Sequence, residues 1–251
     1  MSEITISLKE KKYHNANTSS DVKALKNIEF KIRSKEFVSI VGPSGCGKTT
    51  LMNIIGGLID AKEHKILINN RSINSKNSLG YIFQTSRLMP WLTIFENVKL
   101  VCNDDNEINK KVEEILTNFG LEDFIHAYPN TISGGMRRRA AMARAFINSP
   151  EVLLMDEPFV SLDQPAAEDL YSVLIKYWEK KPTTIILITH SMKEALLLSN
   201  RILFMTNRPG SILMDYKVKS LRSPLKIDNK DIDREYNTIL KKYPKLLEGK
   251  K

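Results

Sequence analysis

The sequence predicts an α/β fold: a mostly parallel sheet flanked by helices, with an antiparallel β edge region and an inserted helical subdomain. Three observations predict it. After residue 150, short β-branched apolar runs alternate with helix-sized segments: 152–155, 184–189 and 201–205 read as strands, 165–180 and 192–198 as helices. Alternation of this kind argues parallel strands joined by crossover helices. Second, the apolar run Phe37-Val38-Ser39-Ile40-Val41 passes straight into a glycine-rich loop, as a buried strand does where it leaves a sheet. Third, residues 93–149 turn helical, with Val98, Val112, Ile115, Leu116 and Phe119 at the apolar positions, so this block reads as an insertion between strands.

The other elements follow in order. Leu25, Ile28, Phe30 and Ile32 mix into period-two spacing, the mark of a strand with one polar face. Residues 49–58 read as a helix, and 66–68 and 79–83 as strands. The charged tail carries helical spacing over 231–247. The expected organisation is one domain over residues 1–220, its helical subdomain at about 93–150, followed by a charged C-terminal tail over 221–251.

Composition narrows the class. A chain of 251 residues, 42% hydrophobic and 27% charged, can bury one large core. No apolar run approaches the roughly 20 residues that a membrane span requires. The first residues lack the charged-then-apolar order of a signal peptide, so a cytoplasmic location is expected. Cys46 and Cys102 are too few and too isolated for a disulfide framework, which agrees with a reducing compartment. The net charge of +9 comes from lysines and arginines spread along the chain with no nucleic-acid motif among them. They read as a solvated surface, and no nucleic-acid partner is expected.

Gly42-Pro43-Ser44-Gly45-Cys46-Gly47-Lys48-Thr49 fits the phosphate-loop pattern of glycine, four residues, then Gly-Lys-Ser/Thr. Its glycines permit the backbone angles that turn successive N–H groups onto phosphate oxygens, and the next helix start adds its dipole. Lys48 supplies a charge for the β and γ phosphates, and Thr49, followed by Thr50, offers a hydroxyl to Mg²⁺. Cys46 fills a variable position, where its backbone N–H is what the loop uses. A phosphate loop between strand and helix identifies the P-loop NTPase class of α/β fold.

Val152-Leu153-Leu154-Met155 leads into Asp156-Glu157, a buried strand that delivers paired acids to the mouth of a sheet. Asp156 suits Mg²⁺, held through its water shell, and Glu157 suits the orientation or deprotonation of an attacking water. Ile132-Ser133-Gly134-Gly135-Met136 precedes a helical stretch; Ser133 is a good helix cap, and the glycines let N–H groups approach an anion.

Together these motifs resemble the nucleotide-binding subunit of ATP-binding-cassette transporters, over about residues 25–205. Ser133, Gly134 and Gly135 stand as in that family's signature, Leu-Ser-Gly-Gly-Gln, with Ile132 for Leu and Met136 for Gln. The resemblance implies that the signature binds the γ-phosphate of ATP held by the other subunit of a dimer. It further implies that Gln84 is the lid glutamine touching Mg²⁺ and the attacking water. Asp163, in Ser161-Leu162-Asp163, belongs to the loop that crosses the dimer interface, His190 is the switch histidine at the γ-phosphate, and Tyr13 is the aromatic that stacks on adenine.

The stretch from Arg87 through Trp91 to Val98 resembles importers of nitrate, sulfonates and taurine, where it faces the membrane partner. Two departures from the family stand out. Residues 61–65 lack the usual Pro and Gly, and Arg138 replaces a usual glutamine, with no function attached to it. The resemblance implies an ATPase using ATP and Mg²⁺ that dimerises with a second copy of itself or a homologous ATPase subunit. Its other partners would be two membrane-spanning permease subunits and an extracytoplasmic solute-binding protein, with the chain peripheral on the inner face of the cell membrane. The alternatives are an exporter's ATPase and a soluble cassette protein acting on DNA or the ribosome. The latter usually carries a coiled-coil insertion or tandem cassettes, and neither is present.

Overall fold

A computed structural model describes residues 3–15, 20–61, 63–68, 71–72, 79–103, 106–219 and 225–250. Lys62, in the unusual turn, and residues 221–224 of the expected tail lie outside them. The chain forms two compact units, Met1–Lys76 with Thr184–Lys251, and Asn77–Thr183.

The first unit opens with two long strands, β1 (Glu3–Asn15) and β2 (Ser20–Arg33). They pair antiparallel, with Ile4 opposite Ile32, Ile6 opposite Phe30 and Leu8 opposite Ile28, all six buried. Strand β3 (Phe37–Val41) and helix α1 (Lys48–Ile55) follow, then β4 (His64–Ile68) and β5 (Arg71–Ser72). The helix is shorter than expected because Gly56 and Gly57 follow Ile55, and Gly57 takes φ +68°. β4 pairs with the free side of β1, Ile6 facing Ile66, which completes a sheet in the order β2-β1-β4-β5. β1 was not expected from the sequence, although Ile4, Ile6 and Leu8 alternate with polar residues as a half-buried strand requires.

The second unit holds β6 (Leu79–Ile82), α2 (Ile94–Lys99), α3 (Ile108–Asn118), α4 (Gly134–Phe146), β7 (Val152–Asp156) and α5 (Gln164–Lys180). β6 and β7 run parallel, Leu79 opposite Val152 and Ile82 opposite Met155. Helix α4 lies so close over β6 that a Cβ on Gly80 would sit 2.7 Å from the Ala145 carbonyl oxygen. Rings of Phe119, Phe146 and Tyr177, with centroids 4.9 to 5.9 Å apart, tie α4 and α5 to the end of α3.

The chain then returns to the first unit with β8 (Thr184–Thr189), α6 (Met192–Leu198), β9 (Arg201–Met205), β10 (Ile212–Lys217) and α7 (Lys230–Lys242). β3 is flanked by β8 and β9, both parallel to it, while β10 pairs antiparallel on the outer side of β9. Every residue of β3 and β8 is buried, which is why both read as unbroken apolar runs. Burial of each large aliphatic side chain there is worth about 1.5–3 kcal/mol. The one hydroxyl inside β3, Ser39, bonds to Ser199, so no buried polar atom of that side chain is orphaned. Among the described residues, no helix is long and apolar enough to cross a membrane.

Candidate functional site

The parallel pairing of β3 and β8 sets Val41 opposite Thr189, so Gly42 and His190 leave the same edge of the first unit's sheet side by side. That edge, the carboxyl end of parallel strands, is where α/β sheets bind ligands. The loop from Gly42 turns through Gly45 at φ +73° and Gly47 at φ +107°, angles that cost a side-chain-bearing residue. At Gly47 space also forbids a side chain, since a Cβ would lie 2.7 Å from Leu25 Cδ2. Lys48 is 7% exposed, and its ammonium donates to the carbonyls of Gly42 at 2.8 Å and Pro43 at 3.1 Å. These carbonyls fold the lysine back over its own loop and, being neutral, leave its positive charge intact. The first turn of α1 carries no acid, so its dipole adds to that charge.

Cys46 is 1% exposed, and burial pushes its thiol pKa up, which makes it a packing residue and not a nucleophile. Tyr13 stands half exposed at the far end of β1, its hydroxyl 3.4 Å from Thr50 Oγ1. Lys11 Nζ lies 5.1 Å from the Tyr13 ring centre. His190 is exposed on a turn built by its neighbours: the Ser191 N–H donates to Thr189 Oγ1 at 3.0 Å, and Thr189 donates to the Glu194 carboxylate. Ser191 then caps α6.

The second unit repeats the arrangement with opposite charge. Ile82 is opposite Met155, so Gln84 and the pair Asp156-Glu157 leave adjacent strand ends. Asp156 is 7% exposed, and burial together with its charge pushes the Tyr81 hydroxyl pKa up. Glu157 takes φ +44°, a left-handed angle costly for a residue with a Cβ. Such strain clusters where geometry serves a site.

Ser133 caps α4, its hydroxyl accepting from the Met136 N–H at 3.2 Å. Gly134 and Gly135 have ordinary negative φ, and a Cβ on either would meet nothing nearer than 3.8 Å. The chain's own packing therefore does not need glycine at these two positions. What glycine leaves open is an exposed helix start that an anion from outside can approach closely. Asp163 caps α5, accepting from the Ala166 N–H at 2.9 Å, and is exposed.

Sequence reasoning missed the residues that hold this second set in place. Arg144 donates at 2.8 Å to the carbonyls of both Ser86 and Arg87, fixing the backbone just beyond Gln84. Asn97 is fully buried and ties residues 89–93 through its amide, accepting from the Met89 N–H and donating to the carbonyls of Met89, Leu92 and Thr93. Arg138, to which the sequence attaches no function, donates to the carbonyls of Phe83 and Val160, one before Gln84 and one beyond Glu157. A polar residue among apolar helix positions, as Asn97 is in α2, was the available signal. Trp91, in the stretch that Asn97 ties, is 70% exposed.

Comparison with known proteins adds to this geometry. Residues 25–160 match the family model described as ABC transporter. The aliphatic sulfonates import ATP-binding protein of a Bacillus cereus strain is 42% identical over 211 residues, covering 83% of this chain and 84% of that one. The taurine import ATP-binding protein of Pelagibacter ubique is 39% identical over 223 residues, covering 87% of this chain and 84% of that one. Among solved structures, a dimeric ATP-binding cassette in a post-hydrolysis state, bound to ADP and Pi, matches with a TM-score of 0.74 and 31% identity. It is covered in full and covers 87% of this chain.

Proposed function

The chain belongs to the ABC transporter family and is an ATPase of its import class, and from that premise we propose that it powers uptake of a small solute of the nitrate, sulfonate and taurine kind. The observation that carries the mechanism is the pair of helix starts: one built around Lys48, and one left open at Gly134 and Gly135 by residues the chain does not need for itself. We read the first as the holder of a subunit's own ATP and the second as the contact to the ATP of a second subunit.

In this reading Tyr13 stacks on adenine, residues 42–50 wrap the phosphates, and Lys48 neutralises the β and γ oxygens. Mg²⁺ keeps several waters and takes few protein ligands besides phosphate, and the donors here are of that hard-oxygen kind: Thr49, Asp156 and Gln84. Mg²⁺ would neutralise developing charge on the phosphates. Glu157 orients the attacking water and accepts its proton, and His190 contacts the γ-phosphate. Ser133 and the loop of Asp163 act across the dimer, so neither subunit alone completes its site.

The partners in this proposal are a second copy or a homologous ATPase, two membrane-spanning permease subunits and an extracytoplasmic solute-binding protein, with the chain on the cytoplasmic face of the membrane. Exposed Trp91, with Leu100, Val101, Phe124 and Tyr128 also exposed in the same unit, supports a protein partner for that unit.

Mixing inactive variants tests the site. Lys48→Ala and Ser133→Arg should each lack turnover, yet their mixture should recover it to about a quarter of wild type, since a mixed head-to-tail dimer retains one intact site. A mixture as inactive as its components sinks the shared-site reading. Uptake of labelled taurine, an alkanesulfonate or nitrate by cells lacking the chain tests the solute class, which fails if all three uptakes persist.

A further inference from the structure

The turn between β9 and β10 and the segment after α7 both reach the phosphate loop. Arg208, on the turn between β9 and β10, donates from Nε to the Gly45 carbonyl at 3.1 Å. On the same turn Gly210 lies so near the loop that a Cβ there would fall 2.2 Å from the Cys46 carbonyl oxygen. Gly210 is itself anchored from both sides: its N–H donates to the Ala24 carbonyl and its carbonyl accepts from the Lys26 N–H, each at 2.9 Å. Thr206 closes the turn, its hydroxyl accepting from the Ser211 N–H at 2.9 Å.

A second layer comes from the segment after α7. Leu246 is buried, and Gly249 takes φ +73° with no room for a side chain: a Cβ would be 2.5 Å from the Asn207 nitrogen and 3.2 Å from Pro43 Cγ. Asn207 Nδ2 donates to the Glu248 carbonyl at 2.6 Å. Residues 246–249 thus press on the 206–210 turn and on the phosphate loop's own Pro43.

We propose that the 206–210 turn and residues 246–249 form an outer clamp on the phosphate loop, with Arg208 as the positioning residue that fixes the Gly45–Cys46 peptide for nucleotide binding. The inference rests on the ATPase reading above. A trans peptide directs its N–H opposite to its C=O, so a guanidinium holding the Gly45 oxygen sends the Cys46 N–H away from itself and into the loop, where it donates to the Pro43 carbonyl at 3.3 Å until phosphate competes for it. A cation on that carbonyl also polarises the peptide and strengthens the N–H as a donor. The glycines give the loop its angles at the cost of freedom that must be lost when phosphate binds. A clamp that has already removed that freedom lets binding proceed without the cost.

The expected signature is a rise in ATP Kd and KM without a matching fall in kcat. Arg208→Ala should raise both by about fivefold, the ratio that about 1 kcal/mol for one hydrogen bond gives, with kcat within about twofold. Arg208→Lys, which keeps charge and a donor, should recover most of the loss. Gly249→Val, which displaces the second layer while leaving Arg208 in place, should raise KM in the same way. Melting temperatures are measured beside the kinetics on the full chain. Unchanged KM in a well-folded Arg208→Ala overturns the clamp, and so does a parallel fall of kcat, melting temperature and affinity that Arg208→Lys does not relieve. Lys48→Ala run alongside separates the two readings. If it abolishes ATP binding while the Arg208 variants do nothing, only the clamp fails. If it leaves binding intact, the ATPase reading itself fails.

Discussion

In the proposed mechanism Glu157 and Lys48 have different tasks. Lys48 is held by two neutral carbonyls, and its proposed work is binding phosphate. Glu157 follows the end of β7, whose neighbour β6 leads to Gln84, and its proposed work is to take a proton from water. Glu157→Gln keeps the size and the hydrogen bonding and removes the proton acceptor. Turnover should fall on the order of 10²–10⁴-fold, the usual worth of a general base, while ATP affinity holds. The ATP-bound dimer should then accumulate, because in the proposed cycle hydrolysis would be what dismantles it. Phosphate release and size-exclusion chromatography with ATP and Mg²⁺ read the two effects. Turnover above about a tenth of wild type would move the catalytic assignment elsewhere.

Helix α4 shows how one element fixes several loops. Ser133 caps its start, Arg137 holds the carbonyls of Pro129 and Ile132, Arg138 reaches Phe83 and Val160, Arg139 pairs with Asp169, and Arg144 holds Ser86 and Arg87. Burial lowers the Arg144 pKa, yet the group stays charged, and two short bonds offset its desolvation. Arg144→Ala should cost about 2–3 kcal/mol and lower the melting temperature by roughly 4–12 °C, with kcat falling as the Gln84 loop loosens. A melting curve and a turnover assay at a temperature where both proteins are folded check this. None of these long-range bonds was legible in the sequence, because an arginine's partner carbonyl lies wherever the fold brings it. What was legible was local: β3 and β8 match the expected bounds because continuous burial writes itself as an apolar run. β10 escaped because its residues are only half buried and leave no clear alternation, and β1 because its alternation covers only five positions before charged residues take over. The phosphate loop was legible for the opposite reason, since its glycines answer to backbone angles set within the loop itself.

For the whole molecule, the left-handed backbone at Glu157 sets stability against use. A non-glycine residue there costs roughly 1–2 kcal/mol, which the fold as a whole must offset. Asparagine tolerates that angle better than glutamate or glutamine. Glu157→Asn should therefore melt higher than Glu157→Gln by about 2–4 °C for each kcal/mol relieved, although the proposed mechanism makes both catalytically silent. Equal melting temperatures for the two would show that the angle carries no cost. Under random mutation, then, heat resistance and turnover pull this position in opposite directions. A chain selected in the laboratory for thermal survival alone would drift at residue 157 toward an inert ATP trap, and a screen for robust variants needs a turnover step to keep the motor running.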